Sequence, residues 1–153
     1  MKTRRERRAI RRLEEIYRSL PAVNCKRLCQ ESCGPVVWTA IEQMHIRSTS
    51  QMRVMPPGSL NCPYLIAGSC SIYHSRPLVC RLFGAIKTMQ CRFGCQPERW
   101  VSNEEAMAIT NELVGLWPSL TRDPFPYGNF GRNKFTSREA LKKGLLLDPR
   151  IAR

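Results

Sequence analysis

Apolar residues near the start of the chain recur at three- and four-residue spacing. Ile10, Leu13, Ile16 or Tyr17, and Leu20 form one stripe along an expected helix, and Pro21 limits its end. A second helical pattern runs through VVWTAIEQMHI, with Val37, Ile41 and Met44 or His45 on one side. The clearest pattern begins at Ser102. Glu105 completes a capping box there, ahead of Ala106, Ile109, Leu113, Leu116 and Trp117, which predicts a helix over residues 103–117 ended by Pro118. Thr136 and Glu139 repeat the signal before Leu141 and Leu145, predicting a last short helix.

The segments between are shorter and more irregular. Residues 24–33, NCKRLCQESC, suit two to three helical turns stopped by Gly34–Pro35, and Pro56–Pro57–Gly58 marks a loop. Asn61 to Tyr73 reads as a short hairpin: Tyr64, Leu65 and Ile66, a turn at Ala67–Gly68–Ser69, and a return from Cys70. In SRPLVCRLFG, Ser75 suits an N-cap, Pro77 an early helical position and Gly84 a stop. Residues 118–135, rich in proline, glycine and aromatics, read as an extended loop, and Trp38, Trp100 and Trp117 as core anchors. The expected fold is mainly α: a small helical domain with a short β-hairpin and irregular loops organised around a cysteine metal site. Three segments are expected: 1–21, a basic amphipathic helix; 22–99, the cysteine-bearing core; and 100–153, a helical segment with an aromatic loop and a basic tail.

The 153 residues suit one domain, and an apolar fraction of 42% allows only a modest core, one that gains from a metal or covalent staple. The net charge of +13 is concentrated at the two ends. Six arginines, Arg4, Arg5, Arg7, Arg8, Arg11 and Arg12, crowd the first helix and form a candidate phosphate-contacting arm. Such ends attract RNA, DNA, an acidic protein or an anionic membrane surface. Phe125, Tyr127, Phe130 and Phe135, interleaved with Arg122, Arg132 and Lys134, could stack on bases or simply pack as a loop. No segment approaches the roughly 20 apolar residues of a membrane span. No small-molecule substrate is signalled, and no serine–histidine–acid or cysteine–histidine set has catalytic spacing.

The eight cysteines change the picture most. An even count raises disulfides, but the opening segment lacks the apolar run of a signal peptide, so the chain is read as cytoplasmic with reduced thiols. Clustered thiols there bind metal. Cys25, Cys29 and Cys33 at i, i+4 and i+8 would lie within roughly an 80° arc of a helix. Cys62 and Cys70 bracket the hairpin, Cys80 follows on the next helix, and Cys91 and Cys95 repeat the four-residue step. Thiolates select zinc or iron–sulfur centres, and four of them close one site. Eight suffice for two sites, or for one with spare thiols. The C-x2-C knuckle of zinc ribbons is missing, and zinc and a [4Fe–4S] cluster fit equally. Arg76 and Arg81, flanking Cys80 in sequence, are candidates to offset thiolate charge and donate to sulfur beside a bound cofactor. His45 and His74 are minor candidates as a fourth ligand.

Cys25-x3-Cys29 with Ser32–Cys33, followed by Cys62–Pro63–Tyr64–Leu65, Gly68, Cys70–Ser71–Ile72–Tyr73, Arg76–Pro77 and Cys80–Arg81, resembles the YkgJ-like cysteine-cluster family. That family is described as zinc- or iron-chelating, and the likeness covers roughly residues 22–84. It implies metal chelation through Cys25, Cys29, Cys33, Cys62, Cys70 and Cys80. Ser32 stands where the family carries its third cysteine of this run, and Cys91 or Cys95 is available to compensate. Some relatives are protein lysine methylases, so the resemblance also admits an enzyme. No glycine-rich loop between strand and helix is present to cradle a nucleotide-like cofactor.

The expectation from sequence is a metal-binding module engaging nucleic acid or a nucleoprotein complex through basic ends. The alternatives are a metalloenzyme or redox protein with a labile cluster, and a structural adaptor subunit docked on an acidic partner.

Overall fold

Thr3 starts the first helix, α1 (Arg4–Ser19), through a reciprocal cap. Its hydroxyl accepts the Glu6 N–H at 3.1 Å, and the Glu6 carboxylate accepts the Thr3 N–H at 2.5 Å. Ala9, Ile10, Leu13, Ile16 and Tyr17 are the buried face, as the apolar stripe predicts. The structure, a computed structural model, describes residues 2–34, 36–53 and 61–117. The Pro56–Gly58 loop, the 118–135 aromatic loop, the helix expected after Thr136 and the basic tail lie outside the described residues.

The described residues are mainly helical with one short antiparallel hairpin. Helix α2 (Ala40–Thr49) begins later than the apolar pattern alone suggests, because Thr39 caps it. Thr39 and Glu42 form a second reciprocal cap, a T-x-x-E signal present in the sequence but overshadowed by the apolar residues before it. Strands β1 (Leu65–Ile66) and β2 (Ser69–Cys70) pair Leu65 with Cys70 and Ile66 with Ser69. Ala67 and Gly68 turn between them with φ of 47° and 76°, two successive left-handed residues that match the right-handed twist of a tight hairpin.

Two expectations are corrected. Residues 24–33 hold no run of helical turns: only the single 3-10 turn Gln30–Ser32 is helical, and Arg27, with φ of 57°, breaks any continuous helix before it. Ser75 is not a helix cap, since it closes its own 3-10 turn (Tyr73–Ser75). Pro77 instead stands at the N-cap of α3 (Leu78–Leu82). Gly84 ends α3 as expected, in the left-handed region at φ 83°.

Helix α4 (Asn103–Leu116) starts where Ser102 accepts the Glu105 N–H at 3.1 Å. The Glu105 carboxylate does not return to the cap. It pairs with both terminal nitrogens of Arg99, at 2.7 and 2.8 Å.

Helices α1, α2, α3 and α4 share one apolar core, in which Leu13, Ile41, Ile86, Ala106 and Leu113 have no exposed surface. The first helix and the last described one therefore close over the cysteine-bearing middle. A smaller cluster of Trp38, Ile46, Tyr64 and Ile72 lies under the hairpin, and Cys62 and Cys70 pack against it. Of the three tryptophans, Trp38 is buried, whereas Trp100 and Trp117 are half-buried at the margin.

Candidate metal centre

The expected arc of Cys25, Cys29 and Cys33 on one helix does not form, because no helix runs through them. The three separate. Cys80 lies where the charges of Cys62, Cys70 and Cys33 reach it, and Cys33 where those of Cys62, Cys29 and Cys70 do. Cys29 lies among Cys25, Cys91 and Cys95 in the same sense. The eight cysteines thus fall into an inner and an outer group of four that adjoin where the charge of Cys29 reaches Cys33. Sequence spacing concealed this division, since it breaks the run Cys25–Cys29–Cys33 between its second and third members.

Each inner thiol is delivered by a different element. Cys33 follows the Gln30–Ser32 turn, and its carbonyl accepts the Cys62 N–H at 3.2 Å. Cys70 ends β2, so its backbone is fixed by pairing with Leu65. Cys80 sits mid-way along α3. Backbone N–H groups of Tyr64 and Leu65 point at the Cys62 sulfur. Burial, reinforced by the neighbouring thiolates, pushes Cys33 up to about 11 and Cys80 well above the usual thiol range. Cys33, Cys62 and Cys80 therefore resist ionising without a nearby cation, the charge that a bound metal would supply.

Arg76 and Arg81 part company. The Arg76 guanidinium lies 4.0 Å over the Tyr73 ring, its charge acts on Cys80, and its Nε is buried without a partner. That orphan N–H is suited to a sulfur or to an ion-bound group. Arg81 turns inward instead. It donates to the carbonyls of Arg76 and His74 and stacks 3.9 Å over Tyr17, so it braces the fold around the inner group. His45 has Glu14, Arg81 and Lys2 as its charged neighbours, none of them a cysteine.

The outer group joins two loops. Cys25 and Cys29 belong to the segment after Pro21, and Cys91 and Cys95 to a turn that closes with the Gly94 N–H on the Cys91 carbonyl at 3.1 Å. Gly94 has φ of 72°, which a side chain would strain. The Lys26 N–H reaches the Cys95 sulfur at 3.3 Å, and the Arg27 N–H the Cys25 sulfur at 3.4 Å. Slight burial raises Cys91, but N–H groups of Cys95 and Phe93 at its sulfur outweigh that and lower it.

Among the described residues, no three His, Cys, Asp or Glu side chains already converge as a finished ion-binding group. The donor chemistry nonetheless fits a thiophilic centre: grouped thiols, N–H donors aimed at sulfur, and an orphan guanidinium nitrogen beside Cys80.

The arginine-rich face of α1 sorts into two parts. Arg12 reaches Glu112 at 2.7 Å and Glu15 at 3.2 Å, and Arg5 lies 4.7 Å over Trp117, so these two serve the α1–α4 junction. Arg7 donates to the Lys2 carbonyl. Arg4, Arg8 and Arg11 are exposed and, at about 100° per residue, share one line opposite the buried stripe. No described helix is long and apolar enough to cross a membrane.

No family model matches the chain, and no curated protein or solved structure matches it.

Proposed function

We propose that the protein is a thiolate metal-binding module, holding zinc or a [4Fe–4S] cluster, whose outer α1 face engages the phosphate backbone of a nucleic acid. The observation that supports this reading is the inner group: Cys33, Cys62, Cys70 and Cys80, from four separate segments, lie near enough for thiolate charge to act among them, with the charge of Arg76 acting on Cys80 and its Nε left without a partner. Four thiolates are a complete ligand set for either centre. Bound there, the metal supplies positive charge and cross-links the hairpin to α3. The cysteine motif and its likeness to the chelating family point the same way. The line of Arg4, Arg8 and Arg11 supports the second half, since arginines held outward on a capped helix suit phosphates.

The test is metal analysis with an absorption spectrum on protein purified without oxygen. A brown protein absorbing at roughly 400 nm identifies the cluster, and a colourless protein with stoichiometric zinc identifies the ion. Protein that carries neither metal and takes up neither on reconstitution overturns the reading.

A further inference from the structure

The outer group has a construction of its own. It is made of two C-x3-C pairs, Cys25 with Cys29 and Cys91 with Cys95, one from each of two facing loops. The loops are already held in register. The Asn24 N–H donates to the Gln96 carbonyl at 3.2 Å, the Glu98 N–H to the Ala22 carbonyl at 3.0 Å, and Val23 pairs with Pro97 in an isolated bridge. Further out, Arg92 pairs with Glu31 at 2.6 Å, and the Lys26 ammonium reaches the Phe93 carbonyl at 3.4 Å.

Four backbone N–H groups point at three of the four sulfurs: Lys26 at Cys95, Arg27 at Cys25, and Cys95 and Phe93 at Cys91. Two of these turns are shaped by left-handed residues, Arg27 at φ 57° and Gly94 at φ 72°. A non-glycine residue in that region is strained, and here its conformation turns an N–H toward sulfur. N–H donors at thiolate sulfur are the surroundings that orient ligands and stabilise their charge around a metal. The Lys26 ammonium adds positive charge that acts on Cys91. Neither cysteine pair lies in a strand or α-helix, so backbone pairing and the Arg92–Glu31 ion pair are what otherwise fasten the clasp.

We propose that Cys25, Cys29, Cys91 and Cys95 form a second metal site, separate from the inner group, which takes one thiophilic divalent ion of the zinc class and clamps the two loops together. The proposal rests on the thiolate chemistry read above, but not on which metal the inner group holds. Cys91 has little protein around its thiol, whereas the Cys80 thiol is enclosed on all sides and Cys62 and Cys70 of the inner group pack on the Trp38 cluster. The outer ion therefore exchanges faster.

The experiment titrates the full, reduced, metal-free chain with zinc alone and counts bound ions by elemental analysis after desalting. Two equivalents are expected. Cys29→Ser/Cys95→Ser is expected to lose one and keep the other, with unchanged far-ultraviolet dichroism, and Cys91→Ala alone to do the same. Transfer of zinc from the unaltered protein to a coloured chelator is expected in two phases, the faster one absent from both variants. This last measurement holds the proposal to account even if a variant folds poorly. Only one equivalent in the unaltered protein, retained in full by Cys29→Ser/Cys95→Ser, or a single release phase from the unaltered protein, overturns the second site and leaves the module reading standing. Loss of both ions in a folded outer variant also overturns it, because the eight thiols then serve one centre. No zinc bound at all, with no iron taken up on reconstitution, overturns the module reading itself.

Discussion

The Tyr17 hydroxyl donates to the Glu42 carboxylate at 2.8 Å, joining α1 to α2 through a charge sealed from solvent. The same carboxylate accepts the Leu78 N–H at 2.5 Å, the Thr39 N–H at 2.6 Å and the Thr39 hydroxyl at 3.0 Å. One side chain thereby ties together the first helix, the cap of the second and the start of the third. Four donors surround it, so its acceptor capacity is filled.

Glu42→Gln places an amide donor among groups that all donate. The expected loss is about 2–3 kcal/mol of unfolding free energy, read by chemical denaturation at neutral pH. Burial raises the Glu42 carboxyl above its ordinary 4.5, against the pull of its four hydrogen bonds. A raised carboxyl contributes stability that is complete below the ordinary value and lost as pH rises through the folded value. The difference in stability between Glu42→Gln and the unaltered chain should therefore vary across the acid range. A loss under about 0.5 kcal/mol at neutral pH contradicts this account of the junction.

His45 is buried between α1 and α2, its Nδ1 3.9 Å from Glu14 and without a hydrogen-bond partner. Burial lowers its pKa from 6.5, more than the Glu14 charge restores. The neutral ring then contributes stability that is present above the ordinary value and lost as pH falls through the folded one. Ring resonances in an NMR titration should show a midpoint below 6.5, and Glu14→Gln should move it lower still. A midpoint above 6.5 refutes this.

Thr3 and Thr39 make the same reciprocal cap in different surroundings. Thr39 is buried, and its hydroxyl also donates to Glu42. Thr3 is exposed. Thr39→Ala should cost about 2 kcal/mol and Thr3→Ala about 1 kcal/mol or less in thermal or denaturant unfolding. Equal costs would show that burial adds nothing to the second cap.

Arg4→Gln/Arg8→Gln/Arg11→Gln should leave stability within about 0.5 kcal/mol, since these side chains face away from the core. If α1 contacts phosphates, the triple variant should also flatten the salt dependence of binding to a duplex by about 2–3 in logarithmic slope. Arg12→Gln should act differently, weakening the α1–α4 junction through Glu112. An unchanged slope in the triple variant removes α1 from the interface.

What could be read from the sequence follows physical scale. The helices were legible because each carries its own signal: the α1 stripe from Ala9 to Tyr17, and the Ser102 cap of α4. The hairpin was legible from Gly68 and the residues flanking it, although Ala67 joins that turn in the left-handed region without any glycine to announce it. The path of residues 24–33 was not legible. Four-residue spacing suits a helix and a loop alike, and what decides is the distant pairing of Asn24 with Gln96 and of Cys33 with Cys62. The sequence left the grouping of the cysteines open for the same reason, as each group is assembled across the chain rather than along it. The stacking of Arg81 on Tyr17 was not legible either, since in sequence its neighbour Cys80 is what stands out.

The two cysteine groups are nested along the chain: Cys33 to Cys80 lies wholly between Cys29 and Cys91. Bringing Cys29 to Cys91 unaided means closing 61 intervening residues. Once the inner thiols are joined, only the three residues before Cys33 and the ten after Cys80 remain slack. By loop-closure entropy that shortening lowers the cost of the outer closure by about 1.4 kcal/mol, roughly a tenfold gain in effective affinity. With metal at both groups, the nesting would impose an order on assembly, the inside fastening first and the outside closing over a chain already drawn tight.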